Sequence, residues 1–182
     1  MTWTTDQLEG ETVRLWPWSP GVYPAMLPIE LWQMVYREHQ ERRLWWPLCR
    51  HPANKAMSIE GFLQTFHNTL VLIAQDRTTE ALIGFCWFED YLTNYRATYN
   101  VFFLRKAWGK QAREGTRLAL RYGFEYMGWQ HIWAFTPWKM AVRHAEAVGA
   151  KVEAVLARYA LIDDQPRDLF IVKVDRGYYL SD

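Results

Sequence analysis

The sequence predicts a single α/β domain whose sheet is mixed and mostly antiparallel. Three strand-like segments follow one another across short polar turns, which is typical of an antiparallel meander. Two later helices each lie between two strands, and such crossovers favour parallel neighbours. Half of the 182 residues are hydrophobic, and no repeat or linker interrupts the chain. We therefore expect one domain over residues 1–182, with the element order β-α-α-β-β-β-α-β-α-β-β.

The first part of the chain is expected to contain one strand and two helices. The segment TVRLWPW, residues 12–18, alternates in the manner of a strand. Residues 23–48 carry helical periodicity, with Leu31 and Val35 at positions i and i+4. Ser58 can cap a second helix, SIEGFLQTFHNT.

The central part of the chain is expected to form the meander. Residues 70–76 (LVLIAQD), 81–90 (ALIGFCWFED) and 97–104 (ATYNVFFL) are rich in apolar and aromatic side chains. The polar turns DRTTE and YLTNYR separate them. Three such runs joined by short turns predict three neighbouring antiparallel strands.

The last part alternates helices with strands. A helix is expected over residues 112–126, ending at Gly128 as a C-cap, and a strand follows over residues 131–135. Pro137 begins the next helix, where its missing N–H is tolerated, and Gly149 ends it. The segments KVEAVLARYALI and RDLFIVKVD predict two final strands around the turn DDQP.

The composition excludes several classes of protein. The chain carries 21 basic and 20 acidic residues, and its net charge of +1 gives no overall attraction to nucleic acid or membranes. No run approaches the roughly 20 apolar residues of a membrane span. We expect no signal peptide, because the segment MTWTTDQLEGE has neither a basic start nor an apolar stretch. The two cysteines, Cys49 and Cys86, lie beside apolar residues, so we expect buried free thiols in a cytoplasmic protein.

Aromatic side chains are the unusual part of the composition, at 16%, including 11 tryptophans. They predict core packing or, alternatively, a wide aromatic groove or a base-stacking surface. The basic and aromatic segment HQERRLWWPLCRH invites a nucleic-acid interpretation. The near-zero net charge instead favours a helix end that lines a substrate cleft.

Motifs for metal and nucleophile chemistry are missing from the sequence. The five histidines show no metal-ligand spacing, either among themselves or with the cysteines. There is neither a G-x-S-x-G nucleophile elbow nor a GxxxxGK[ST] phosphate loop. We therefore expect no metal.

The segment LRKAWGKQAREGTRLALRYGF, residues 104–124, leads from an apolar strand through a basic turn into an amphipathic helix. The first N–H groups of a helix lack partners, and together with the helix dipole they attract anions, above all phosphates. Gly109 and Gly115 have no Cβ, so the backbone there is open to a close approach, and Lys110 and Arg113 add positive charge. The residues alone leave open whether this is a phosphate-holding loop or a plain basic turn.

The order of the elements, together with this segment, resembles the acetyl-CoA-binding N-acetyltransferase superfamily, the GNAT fold. The resemblance runs from Val13 to Val174 and is best from Thr98 to Leu156. VFFLRKAWGKQAR resembles the family's strand and pyrophosphate loop, whose usual form is R-G-x-G-x-G or A, with Gly109 after the arginine position. In the later half of the family's fold, a helix often begins near a P-x-N sequence, and an alanine precedes a terminal G-F. The comparable positions in this sequence are Pro137, Ala141, Gly149 and Ala150.

The resemblance implies an N-acyltransferase that moves an acetyl group from acetyl-CoA to an amine acceptor by direct attack. It assigns the pantetheine arm of the co-substrate to Phe102, Phe103 and Leu104. It assigns the phosphates to the loop residues Gly109, Lys110, Gln111, Ala112, Arg113, Glu114 and Gly115.

The loop departs from the usual form of the family at three positions. Trp108 stands where arginine is usual, and Gln111 and Arg113 replace small residues. Cβ atoms and long side chains then crowd the approach of a phosphate. The cationic side chains could instead reach the phosphates directly.

The candidate catalytic residues are Glu89, Tyr99 and His144. Glu89 ends a central strand and Tyr99 lies beside the implied pantetheine arm, so either is a candidate general base. His144 lies beside Ala145, near the place of the tyrosine that often protonates the leaving thiolate in the family. Each also has a structural interpretation, because strand-end carboxylates are usually solvated and histidines on amphipathic helices usually pack.

The sequence leaves the acceptor open. In the family the first half of the fold builds the acceptor cleft, so the resemblance implies that Trp45 and Trp46 line it and suit a bulky or flat amine. Dimers are common in the family, which makes a homodimer one expected state.

A second, shorter similarity is to the acetyltransferase-like proteins of tailed bacteriophages, in the loop form G-K-x-x-R and the helix end G-A. It implies an alternative function, a catalytically degenerate GNAT-like module that serves as a virion or host-interaction protein. The first hypothesis implies a cytoplasmic protein, and the second allows association with a virion.

Overall fold

A seven-stranded sheet organises the residues that the structure describes. The structure is a computed structural model, and it describes residues 8–18, 27–42, 62, 66, 69–162 and 165–179. Within them the strand order is β1-β2-β3-β4-β5-β7-β6. The strands are β1 Val13–Trp18, β2 Leu70–Asp76, β3 Leu82–Leu92, β4 Arg96–Phe103, β5 His131–Thr136, β6 Lys151–Ile162 and β7 Gln165–Asp175. The helices are α1 Leu27–Arg42, α2 Lys110–Arg121, α3 Lys139–Glu146 and α4 Arg176–Tyr179.

β2, β3 and β4 form the predicted antiparallel meander, and β1 pairs antiparallel with the outer edge of β2. β2 spans the predicted residues 70–76, and β3 and β4 agree with their predicted bounds to within two residues. Continuous apolar runs were sufficient to place β2, β3 and β4, because these strands lie inside the sheet and are buried on both faces.

β4 and β5 run parallel, but they pair only from Arg96↔His131 to Thr98↔Trp133. β5 pairs antiparallel with β7 along its other edge. Beyond Thr98, no strand of the described residues pairs with the edge of β4 that faces β5. The sheet is therefore mixed and mostly antiparallel, as predicted, and it opens in its middle.

Helices cover both faces of the sheet. α1 contributes Leu31 and Val35 to one core, which also contains Ile73 of β2. α2 contributes Leu118 to a second core, which contains Leu72 of β2. Because neighbouring residues of a strand point to opposite faces, the two cores lie on opposite sides of the sheet.

Several aromatic side chains pack inside the first of these cores. The ring centroids of Phe62, Phe66, Phe85 and Trp87 lie 4.8 to 6.1 Å from their neighbours. Trp129, in the second core, is also fully buried. Core packing therefore accounts for these members of the aromatic set.

Cys86 lies in the middle of β3 and is a buried free thiol, as expected. Its burial raises its pKa to about 12, so the thiol is protonated at neutral pH. Cys49 lies outside the described residues.

The helix after the basic turn begins earlier than predicted. α2 starts at Lys110 rather than at residue 112, and a π-helical turn, Tyr122–Tyr126, follows its end at Arg121. The start of α2 is therefore closer in the chain to the end of β4 than predicted.

The other helices agree with the sequence where the structure describes them. α1 lies inside the predicted range 23–48, and α3 begins two residues after Pro137. The helix predicted from Ser58 lies outside the described residues, apart from the buried Phe62 and Phe66. None of the helices in the described ranges is long and apolar enough to cross a bilayer.

Candidate functional site

The opening between β4 and β5 forms a cleft of about 480 Å³. Its walls are residues 99–103 of β4 and 132–136 of β5, together with side chains of α2 and α3. The lining is mostly aliphatic and aromatic, which suits a largely apolar, extended ligand. The unpaired edges of both strands also offer backbone N–H and C=O groups to such a ligand.

One end of the cleft is the turn into α2. Gly109 there has φ of +88° and ψ of −114°, a conformation that side chains with a Cβ rarely adopt. The first intrahelical hydrogen bond is donated by the Arg113 N–H to the Gly109 carbonyl, at 3.1 Å. The N–H groups of Lys110, Gln111 and Ala112 lie ahead of that bond, so the turn presents backbone donors and the positive end of the helix dipole.

The side chains of this turn divide into two groups. Lys110 Nζ lies 2.9 Å from Glu11 Oε2, and Gln111 Nε2 donates to Asp76 Oδ2 at 2.5 Å. The Glu11 carboxylate raises the pKa of Lys110. These two side chains, which we expected at the phosphates, thus hold the helix to the N-terminal segment and to β2.

Two further loop residues also face the rest of the protein. Glu114 accepts a hydrogen bond from the Thr12 N–H at 3.1 Å. A Cβ placed on Gly115 would lie 2.6 Å from Phe103 Cζ, so Gly115 packs against the sheet. Arg113, in contrast, lines the cleft.

The end of β4 is occupied by Trp108, which stands at the arginine position of the resembling family. Its indole N–H donates to the Phe103 carbonyl at 2.9 Å, and its ring lines the cleft. Phe102 and Phe103 line the cleft, and their contact with a pantetheine arm stays a prediction. The Leu104 N–H donates a hydrogen bond to the Ile83 carbonyl of β3 at 2.8 Å, so this N–H points away from the cleft.

A polar cluster lies in the wall of the cleft, away from the turn. The Tyr99 hydroxyl donates to Thr116 Oγ1 at 3.3 Å, and Thr116 Oγ1 lies 2.9 Å from His144 Nε2. Two of our three catalytic candidates, Tyr99 and His144, thus meet at one hydroxyl group. We did not identify Thr116 from the sequence, although it is a polar residue on the apolar stripe of α2 between Ala112 and Leu120.

The environment of this cluster disfavours charge. Burial raises the pKa of Tyr99 well above its ordinary value. Burial, followed by the nearby guanidinium groups of Arg113 and Arg117, lowers the pKa of His144 to about 4. Both side chains are therefore neutral at physiological pH.

The third candidate, Glu89, lies on the opposite face of the sheet. Its carboxylate accepts a hydrogen bond from Asn100 Nδ2 at 2.9 Å. Asn100 follows Tyr99 on β4, so the two side chains point to opposite faces. Asn100 and Thr98 are buried polar residues that we did not select from the sequence, although they interrupt the apolar run of β4. Asn100, which lines the cleft, thus connects the opening to a carboxylate on one face of the sheet, and neutral protic groups lie on the other face.

Trp45 and Trp46, the expected acceptor-binding residues, lie outside the described residues. Among the described side chains, no three from His, Cys, Asp and Glu come together in a way that could hold a metal ion.

Known structures share this architecture. No family model and no curated protein sequence matches the chain. A spermidine N-acetyltransferase from Vibrio cholerae, in complex with CoA and spermine, is 18% identical with a TM-score of 0.70, covering 94% of this chain and 99% of that chain. A GNAT-family acetyltransferase from Bacillus anthracis is 15% identical with a TM-score of 0.68, covering 93% and 98%.

These similarities extend over almost the full length of both chains. The chain therefore shares the fold of the GNAT acetyltransferases, as the element order had implied.

Proposed function

We propose that the protein is an acyl-CoA-dependent N-acyltransferase that moves an acetyl group from acetyl-CoA to a primary amine. The observation that carries this proposal is the open edge of β4, which leads from the amide donors of α2 to groups able to exchange protons. Such an opening suits a ligand with an anionic head, an extended arm and a reactive end.

The dimensions and chemistry of the cleft support the co-substrate. From Phe103 to Tyr99, β4 spans about 13 Å at roughly 3.3 Å per residue, a length that suits an extended arm. The N–H groups at the start of α2 and the guanidinium of Arg113 suit a pyrophosphate at one end. The thioester then lies at the level of Tyr99 and Asn100.

The two faces of the opening suggest a division of the chemistry. The amine nitrogen bonds to the carbonyl carbon of the thioester, and the bond from that carbon to sulfur breaks. Glu89, oriented by Asn100, accepts the proton that the amine loses, directly or through water. On the other face, neutral His144 donates a hydrogen bond towards the leaving sulfur, while the one hydroxyl hydrogen of Tyr99 is donated to Thr116. The sulfur leaves as a thiolate and takes up a proton from water.

The acceptor proposed for the first assays is a polyamine. The Vibrio cholerae neighbour is described as a spermidine N-acetyltransferase in complex with spermine. The Glu89 carboxylate beside the opening gives an ammonium group of such an acceptor an opposite charge to approach.

Calorimetric titration with acetyl-CoA tests the co-substrate. The matched variants are Ala134→Phe, which fills the cleft, and Ala154→Phe, which adds the same ring on the exposed β6. We expect Ala134→Phe to weaken binding by about tenfold or more, the cost of displacing part of an apolar contact, while Ala154→Phe binds like the wild type. Release of thiol with spermidine as acceptor then measures transfer.

Absence of heat at millimolar acetyl-CoA with the wild-type protein would contradict the proposal. In that case the fold would instead serve the alternative function, a structural or protein-interaction module.

A further inference from the structure

Three elements bring one side chain each to a single point in the cleft wall. Tyr99 comes from β4, Thr116 from α2 and His144 from α3. The Thr116 hydroxyl lies between the other two, 3.3 Å from the Tyr99 oxygen and 2.9 Å from His144 Nε2. Among the hydrogen bonds of the described residues, no other side chain of α2 or α3 joins two side chains from different elements in this way.

The surroundings make the cluster costly unless its members satisfy one another. Thr116 is 3% exposed and Tyr99 is 6% exposed. The adjacent cleft wall is aliphatic, with Leu120, Ile132 and Val148. A buried hydroxyl without a partner is destabilising, whereas a valine of the same shape carries no such cost. A polar side chain at position 116 therefore calls for a reason beyond packing.

Counting donors defines how the protons are arranged. A threonine hydroxyl has one hydrogen to donate and two lone pairs. Tyr99 donates to it, which leaves the Thr116 hydrogen for another partner, and we assign that hydrogen to His144 Nε2. A neutral imidazole that accepts at Nε2 carries its proton at Nδ1.

The charges around His144 agree with a neutral ring. Arg113 and Arg117 of α2 approach it, and both disfavour an imidazolium. Tyr99 faces it from β4 as a neutral phenol, and Arg143 precedes it on α3. With the ring neutral, the position of its single proton is set by the hydrogen bond that the other nitrogen makes.

We infer that Thr116 is a positioning residue for the proposed acyl transfer, because its hydroxyl holds Tyr99 and His144 together and fixes the ring nitrogen of His144 that bears the proton. This inference rests on the proposed function. Thr116 acts through its two neighbours: Tyr99 donates to Thr116, Thr116 donates to His144 Nε2, and the Nδ1–H of His144 is then the donor available at the sulfur end of the cleft.

The matched variants are Thr116→Val, which keeps the shape and loses the hydroxyl, and Thr116→Ser, which keeps the hydroxyl. Nitrogen NMR of the histidine rings, with the His144 signals assigned from His144→Gln, reports the tautomer without any substrate. We expect one tautomer, with Nε2 unprotonated, in the wild type and in Thr116→Ser, and a mixture of tautomers in Thr116→Val. An identical tautomer in wild type and Thr116→Val would overturn the inference.

Kinetics provide the second readout, with acetyl-CoA and spermidine. We expect Thr116→Val to lower kcat by about tenfold or more while the KM for acetyl-CoA changes by less than about twofold, since the loss concerns proton donation rather than binding. Thr116→Ser should recover most of kcat. An unchanged kcat in Thr116→Val, in protein that binds acetyl-CoA, would overturn the role in transfer.

The two failures can be told apart. If the wild type does not bind acetyl-CoA in the calorimeter, the proposed function fails, and the role of Thr116 in transfer fails with it. The ring-nitrogen spectra still decide whether Thr116 fixes His144. Should Thr116→Val not fold by thermal melting, the pair Thr116→Ala and Thr116→Ser makes the same comparison, because these two differ by a single oxygen.

Discussion

Towards β3, the central strand β4 is paired from Arg96 to Phe103, whereas towards β5 it is paired only from Arg96 to Thr98. The first edge is closed and tightly packed, because a Cβ on Gly84 of β3 would lie 2.3 Å from the Phe102 carbonyl oxygen. The second edge lines a cleft with an anion-attracting turn at one end. The same strand therefore contributes stability along one edge and, in the proposed function, ligand binding along the other.

The largest effect expected at the open edge is on the pH dependence of stability. His144 has a pKa of about 4 in the folded protein, against an ordinary value of 6.5. Between these values the unfolded chain holds more protons than the folded protein. The free energy of unfolding should therefore fall as pH is lowered through this window, by up to about 3 kcal/mol from this group.

Urea unfolding at several pH values, with His144→Gln as the comparison, measures this contribution. The variant should show a flatter dependence than the wild type between pH 4 and 6.5, the two pKa values of His144. Parallel curves for the two proteins would show that His144 does not titrate as the geometry requires.

The closed edge should respond to added volume. Gly84→Ala places a Cβ against the backbone of β4, so the two strands must shift apart, at a cost of about 2 kcal/mol in unfolding free energy. Gly177→Ala is the matched control, because a Cβ there meets nothing within 4 Å. Urea midpoints that move equally in the two variants would mean that the closed edge is looser than its packing indicates.

The smallest effect concerns the two cations of the turn. Arg113 lines the cleft, whereas Lys110 pairs with Glu11. We expect Arg113→Gln to weaken acetyl-CoA binding by about fivefold, as for the loss of one charge-assisted hydrogen bond, and Lys110→Gln to weaken it by less than about twofold. Equal losses in calorimetry would show that both side chains serve the phosphates.

The sequence predicted the strands of the closed edge more completely than it predicted the side-chain contacts at the open edge. The strands of the meander are continuous apolar runs between polar turns, and such local patterns predicted β2 over residues 70–76. The resemblance to the GNAT fold assigned the pantetheine arm to residues 102–104, and two of these, Phe102 and Phe103, line the opening. These inferences need only the order and period of the elements.

The roles of single side chains depend on partners that are distant in the chain. Lys110 looked like a phosphate ligand, but Glu11, 99 residues earlier, pairs with it. The hydroxyl of Thr116 contacts the ring of His144, which is 28 residues away on another helix. Periodicity shows which face of a helix is buried, but not which polar group the opposite element will bring to it.

The most direct test of the open edge is an amide NMR titration of the wild-type protein with acetyl-CoA. The account predicts that shifts concentrate at residues 100–103 of β4 and at residues 109–113 of the turn, while the amides of β1 and β2 keep their positions. Shifts confined to β1 and β2, or no shifts at millimolar acetyl-CoA, would contradict the claim that this edge is a binding site for the co-substrate.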